Sequence, residues 1–112
     1  MTKVLWFSRH AMTQEQEAAL GTDVTVNQVS KTISSAYELV DEIEEADVIA
    51  IVAPINLQQQ FLILAAGKPV IMAVSERKLI PQETGEDKVE FHFVKWEQLD
   101  RIIVEKHDYI PE

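Results

Sequence analysis

The sequence contains no cysteine. A disulfide framework, a thiolate nucleophile and a cysteine-ligated zinc are therefore excluded. Glycine is nearly as scarce, at three residues, and none falls in a Gly-x-Gly-x-x-Gly or Gly-x-x-x-x-Gly-Lys-Ser/Thr spacing, which disfavours ordinary dinucleotide and P-loop nucleotide binding. Long apolar runs are missing too. The stretch Phe61–Ala66 ends at Gly67, Lys68 and Pro69, far short of the roughly 20 residues that cross a bilayer, so no membrane partner is expected. Met1-Thr2-Lys3 leads straight into Val4–Phe7 with no signal-like apolar region, and a cytoplasmic protein is the expectation. Positive charge is in short supply. Ten Lys and Arg against nineteen Asp and Glu give a net charge of −9, which repels a polyanion at long range and argues against long DNA or RNA as a partner. A small anionic ligand needs only a local group of donors and is not excluded by the total.

What is present is enough apolar material for one core: 46% of 112 residues, consistent with a single domain over 1–112. Lys3–Ser8, Asp47–Ala53 and Pro69–Val74 are short runs rich in Val and Ile, as expected of strands buried on both faces. Asp23–Val29 alternates and reads as a half-exposed strand. Between the strands lie three helical segments. Thr13-Gln14-Glu15-Gln16 has the spacing of a capping box and predicts a helix over 14–20, stopped by Gly21. Ile33, Ala36, Tyr37, Val40 and Ile43 form the apolar face of a second helix, with Glu38, Asp41, Glu42 and Glu45 largely on another face. Asn56 is placed to cap a third that ends before Gly67. The order β-α-β-α-β-α-β predicts an α/β fold, a Rossmann-like or flavodoxin-like parallel sheet with flanking helices. Beyond Ser75, a polar loop at 81–87 precedes Val89–Val94 and Arg101–Lys106, which read as a C-terminal antiparallel β-hairpin that extends the sheet or pairs with a second subunit.

In open α/β sheets ligands bind beyond the carboxyl ends of the strands, at the point where connections leave to opposite faces. That point should lie beside the first and third strands. It would receive Ser8, Arg9 and His10 from the first loop, Asn56 from the third, and Ser75 and Arg77 from the fourth, with Thr13 and the N–H groups that open the first helix aimed at the same space. Arg9 offers a planar fork for phosphate oxygens and His10 exchanges a proton near neutral pH. A plainer reading stands beside this one: Arg9 as a solvated loop charge, His10 as a helix-capping neighbour, Ser8 and Asn56 as turn residues, and Arg77 paired with a surface acid. His92 and His107 have no second ligand at helical spacing, so no metal site is expected. Trp6 and Phe7 read as core, and Trp96 as packing against the hairpin.

Val4-Leu5-Trp6-Phe7-Ser8-Arg9-His10, then Thr13-x-Glu15-Gln16, Ala46-Asp47-Val48-Ile49-Ala50, Ala53-Pro54, Gly67-Lys68-Pro69-Val70 and Ser75-Glu76-Arg77 together resemble a group of small CRISPR-associated Rossmann-like proteins. These accompany type III systems and are related to the ring nucleases. The resemblance implies degradation of a cyclic oligoadenylate second messenger, most often the four-adenylate ring, without metal or other cofactor and across a homodimer. The ribose 2′-OH would attack the adjacent phosphorus, leaving a 2′,3′-cyclic phosphate. On that implication Arg9 and His10 are the catalytic candidates, and Ser8, Thr13, Asn56, Ser75 and Arg77 the ligand-binding ones.

Three rivals remain open at this stage. The strand-Arg-His arrangement is also similar to histidine phosphatases, although Ala11 stands where that family has glycine. A non-catalytic sensor or sponge would bind the same nucleotide without cleaving it. An interaction module would leave Arg9 and His10 with no special role.

Overall fold

The computed structural model describes residues 1–83 and 85–111. It is an α/β arrangement built on one five-stranded sheet in the order β2-β1-β3-β4-β5. The strands are β1 (Thr2–Phe7), β2 (Val24–Val29), β3 (Val48–Ile51), β4 (Val70–Ile80) and β5 (Lys88–Gln98). The first four run parallel and β5 is antiparallel to β4. Helix α1 is Gln14–Ala18, α2 is Val40–Glu45, preceded directly by a 3₁₀ turn at Ala36–Leu39, and α3 is Ile55–Ala65.

β1 is the hub because Val4, Leu5, Trp6 and Phe7 are all buried. Successive side chains point to opposite faces, so Leu5 and Phe7 join Ile49, Ile51 and Val70 under α2 and α3, with Phe61 fully buried among them. Val4 and Trp6 join Ala50 and Ile71 on the opposite face, against Met12, Leu20 and Trp96. The Trp96 indole N–H donates to the Gln16 carbonyl at 2.9 Å, which ties α1 to β5. Trp6 and Trp96 meet edge to face at 5.8 Å.

The capping box at Thr13 is present, with reciprocal bonds between Thr13 and Gln16. The second helical segment differs from the periodicity reading. Ile33 is buried as expected, but Tyr37 and Val40 are exposed and Leu39 takes the interior position. A 3₁₀ turn has three residues per turn, which aligns Ala36 with Leu39; the change to α pitch then aligns Leu39 with Ile43 four residues on. Ser35 caps this turn, and the Glu38 carboxylate accepts from the Ser34 and Ser35 backbone N–H groups at 2.8 and 3.2 Å.

Asn56 is not the cap of α3. Pro54 occupies that position with φ −68° and ψ 163°, and Asn56 is an exposed residue of the first turn. The C-terminal hairpin also needs correction. Its strands are β4 and β5, while Arg101–Lys106 has no regular structure. β4 runs eleven residues, so Ser75–Ile80 continues past the end of β3 and pairs with Lys88–Phe93 as a two-stranded ribbon. That continuation uses the length of β5 as its partner. The β4–β5 register shifts at Val74/Ser75, where the ribbon begins. The polar loop at 81–87 lies where expected, with Thr84 outside the described residues.

Two measurements check this packing. Phe61→Ala should lower the urea-unfolding free energy by about 3–5 kcal/mol, the range for emptying an aromatic site in a core. The Ser34 and Ser35 backbone N–H groups, with the Ser34 hydroxyl, hold the Glu38 carboxyl below its ordinary value of 4.5. A depressed folded-state value means the stabilisation is complete above 4.5 and is lost as pH falls through that lowered value. Glu38→Ala should therefore lower the melting temperature at neutral pH, and the difference from wild type should shrink towards zero in strong acid.

Candidate functional site

The parallel registers set β1 between its neighbours so that Phe7 lies opposite Val29 of β2 and Ile51 of β3. The residues that follow these three ends meet at the carboxyl edge of the sheet. They enclose a cavity of about 400 Å³, at the lower end of the size range for small-molecule sites. Its floor is apolar, made by Phe7, Val29, Ile33 and Leu57; its polar wall is Ser8, Arg9, His10, Ser30, Lys31 and Thr32.

The β1 loop is held in shape from several sides. The Ser8 N–H donates to the Val29 carbonyl at 3.1 Å. The Gln28 amide donates to the Ser8 carbonyl at 3.0 Å. Ser8 is buried, and its hydroxyl oxygen accepts from the His10 N–H at 3.2 Å, a tight local turn. The Trp6 indole N–H donates to the His10 carbonyl at 2.8 Å. The hydrogen bonds of His10 thus run through its main chain. Arg9 is exposed, and its Nη2 donates to Thr32 Oγ1 at 2.9 Å, a bond between loops 23 residues apart. It fixes one edge of the guanidinium and leaves the remaining donors for a ligand.

Of the residues read from sequence, Ser8, Arg9 and His10 line this cavity together. Thr13, Asn56, Ser75 and Arg77 do not. Thr13 caps α1, its hydroxyl accepting from the Gln16 N–H at 3.1 Å. With its neighbours Gln14 and Glu15 it borders a separate hollow beside Phe91 and Phe93 of β5. The start of α1 therefore does not point into the Arg9 cavity, and at five residues the helix is too short to present much of a dipole. Asn56 sits two residues beyond the cavity-lining Pro54, and Ser75 and Arg77 are exposed on the ribbon.

Sequence reasoning missed Ser30 and Thr32 altogether and gave Lys31 no place in the site. What brings them in is the strand register: with Phe7 opposite Val29, its continuation sets Arg9 level with Lys31. Among the described residues no three His, Asp or Glu side chains are grouped as metal ligands.

Neither family models, nor curated proteins, nor solved structures yield a match to this chain. Two cations and three hydroxyls around a partly apolar hollow suit a ligand with an anionic group and an apolar body. Arg9→Ala and Lys31→Ala should each weaken binding of inorganic pyrophosphate by about tenfold, the order expected for one charge-assisted bond of 1.5–3 kcal/mol partly offset by solvent. Calorimetric titration reads this directly, and Arg77→Ala should leave the affinity unchanged.

Proposed function

We propose that this protein is a Rossmann-like ring nuclease of the type III CRISPR kind, which binds a cyclic oligoadenylate through its phosphodiester in the Arg9 cavity and cleaves it without a metal. The observation that carries the reading is the convergence of Arg9, Lys31, Ser30 and Thr32 on one hollow in a chain whose net charge is −9. In an acidic protein two cations beside three hydroxyls are a local exception, and an anion is the ligand they fit.

The chemistry asks for little beyond positioning. Arg9 and Lys31 hold the non-bridging phosphate oxygens and offset the charge that grows on them as the phosphorus becomes five-coordinate. The Ser8 and Thr32 hydroxyls orient the ribose and phosphate. His10 takes the proton of the 2′-OH as its oxygen bonds to phosphorus. The bond from phosphorus to the 5′ oxygen breaks, and that oxygen takes up a proton from solvent or from the imidazolium. The products are a 2′,3′-cyclic phosphate and a free 5′-OH on a linear chain. A homodimer would set two such cavities around one ring, doubling the local positive charge.

One observation favours sequestration as the second reading. A general base is commonly held by a third group, whereas the His10 bonds described above come from its main chain. A single experiment separates the readings. Purified protein incubated with cyclic tetra-adenylate in EDTA should give linear product ending in cyclic phosphate. Arg9→Ala should slow the reaction by about 10²-fold or more and His10→Ala by about 10²–10⁴-fold, with melting temperatures unchanged. An intact ring bound with a thermal shift would assign a sponge, release of inorganic phosphate from a simple phosphomonoester would assign a phosphatase, and no binding at all would overturn the proposal.

A further inference from the structure

The parallel ladder between β1 and β2 ends with the Ser8 N–H on the Val29 carbonyl at 3.1 Å. With Phe7 opposite Val29, a further rung would bring the Lys31 N–H to the Ser8 carbonyl. The Gln28 side-chain amide is there instead, at 3.0 Å. Gln28 is the register partner of Trp6, and Trp6 packs with Val24 and Val26 on the face of the sheet opposite the one that holds Phe7. Alternation along β2 puts Gln28 on that same far face. Trp6 acts from there as well, its indole N–H donating to the His10 carbonyl at 2.8 Å. Both ends of Ser8-Arg9-His10 are thus held from behind the sheet, while the three residues line the cavity in front. The two bonds carry different weight. A buried indole N–H needs an acceptor whatever else it does. Gln28 is exposed on an edge strand, where water would satisfy its amide and leave its rotamers free.

We infer that Gln28 is a positioning residue for the anion site: its amide takes the Ser8 carbonyl, ends the β1–β2 ladder there and lets Arg9 and Lys31 separate around a ligand. The inference rests on the phosphate-site reading of the Arg9 cavity. Had the ladder continued, Arg9 and Lys31 would stand level on the cavity face, at the roughly 4.8 Å spacing of neighbouring strands. Like charges directly opposite each other on paired strands repel. Parting the strands relieves that repulsion and leaves a gap between two cations, and an anion in the gap is attracted to both. The Arg9 side chain agrees with this arrangement. Its Nη2 donates to Thr32 Oγ1 at 2.9 Å, so the guanidinium reaches past the level of Lys31 to the next residue along.

The test uses Gln28→Met in the full chain, which keeps the length of the side chain, removes its donor and, at an exposed position, leaves the core alone. Calorimetric titration with inorganic pyrophosphate should show an affinity about 3- to 10-fold below wild type, the size of one neutral hydrogen bond, in a protein that still unfolds cooperatively. Gln28 acts by separating Arg9 from Lys31, and Arg9→Ala leaves nothing to separate. The double variant Gln28→Met/Arg9→Ala should therefore bind no more weakly than Arg9→Ala alone, a coupling that a purely structural role would not produce. A Gln28→Met protein with wild-type affinity, whatever its melting temperature, overturns the inference while the cavity stands. Additive losses in the double variant overturn it too. A wild-type protein that binds no pyrophosphate fails the phosphate reading itself, and this inference with it.

Discussion

The parallel pairing of β1 with β2 on one side and β3 on the other is the constraint on which the rest of the molecule depends. It follows from four consecutive apolar residues, Val4–Phe7, each buried and each worth about 1.5–3 kcal/mol when removed from water. A strand apolar on both sides has to be central, with helices covering each face. Once it is central, its carboxyl end and those of its two neighbours open on the same edge, and whatever polar residues follow them are gathered there at no further cost to the core.

Those residues are unevenly charged in a way the whole chain is not. Acidic side chains crowd α2 and the turn before it, where Glu38 is spent on capping, Glu42 is half-buried and Asp41, Glu44 and Glu45 are exposed. Arg9 and Lys31 come together at the sheet edge because the registers require it. Thr32 then fixes the orientation of Arg9 from the neighbouring loop. The arrangement lowers the entropy a ligand would have to remove from a long side chain, since part of the guanidinium is already held.

Much of this was legible in the sequence because it rested on unbroken apolar runs, on the alternation along Asp23–Val29 and on a capping box with fixed spacing. β1, β2, β3, the start of β4, α1 and the trio Ser8, Arg9 and His10 came from such signals. The failures have physical causes. Ser75-Glu76-Arg77-Lys78 lacks a clean alternation, so its pattern suggests a loop at the site where β4 in fact continues, and nothing local tells that β5 pairs with it instead of with Arg101–Lys106. Leu39 was overlooked because a change from 3₁₀ to α pitch breaks the single period that a helical pattern assumes. Asn56 has the side chain of a cap, yet Pro54, extended at the end of the β3 loop, starts the helix two residues earlier. Lys31 and Thr32 belong to the cavity through the β1–β2 register, which composition and local spacing do not contain.

The most direct test of the central claim, that the β1, β2 and β3 ends form a phosphate-binding site, is a backbone amide NMR titration with cyclic tetra-adenylate. The account predicts the largest shifts at Ser8, Arg9 and His10 and at Ser30, Lys31 and Thr32, two segments distant in sequence and joined only at this cavity. Shifts confined to other parts of the molecule, with both segments unmoved at saturation, would contradict it.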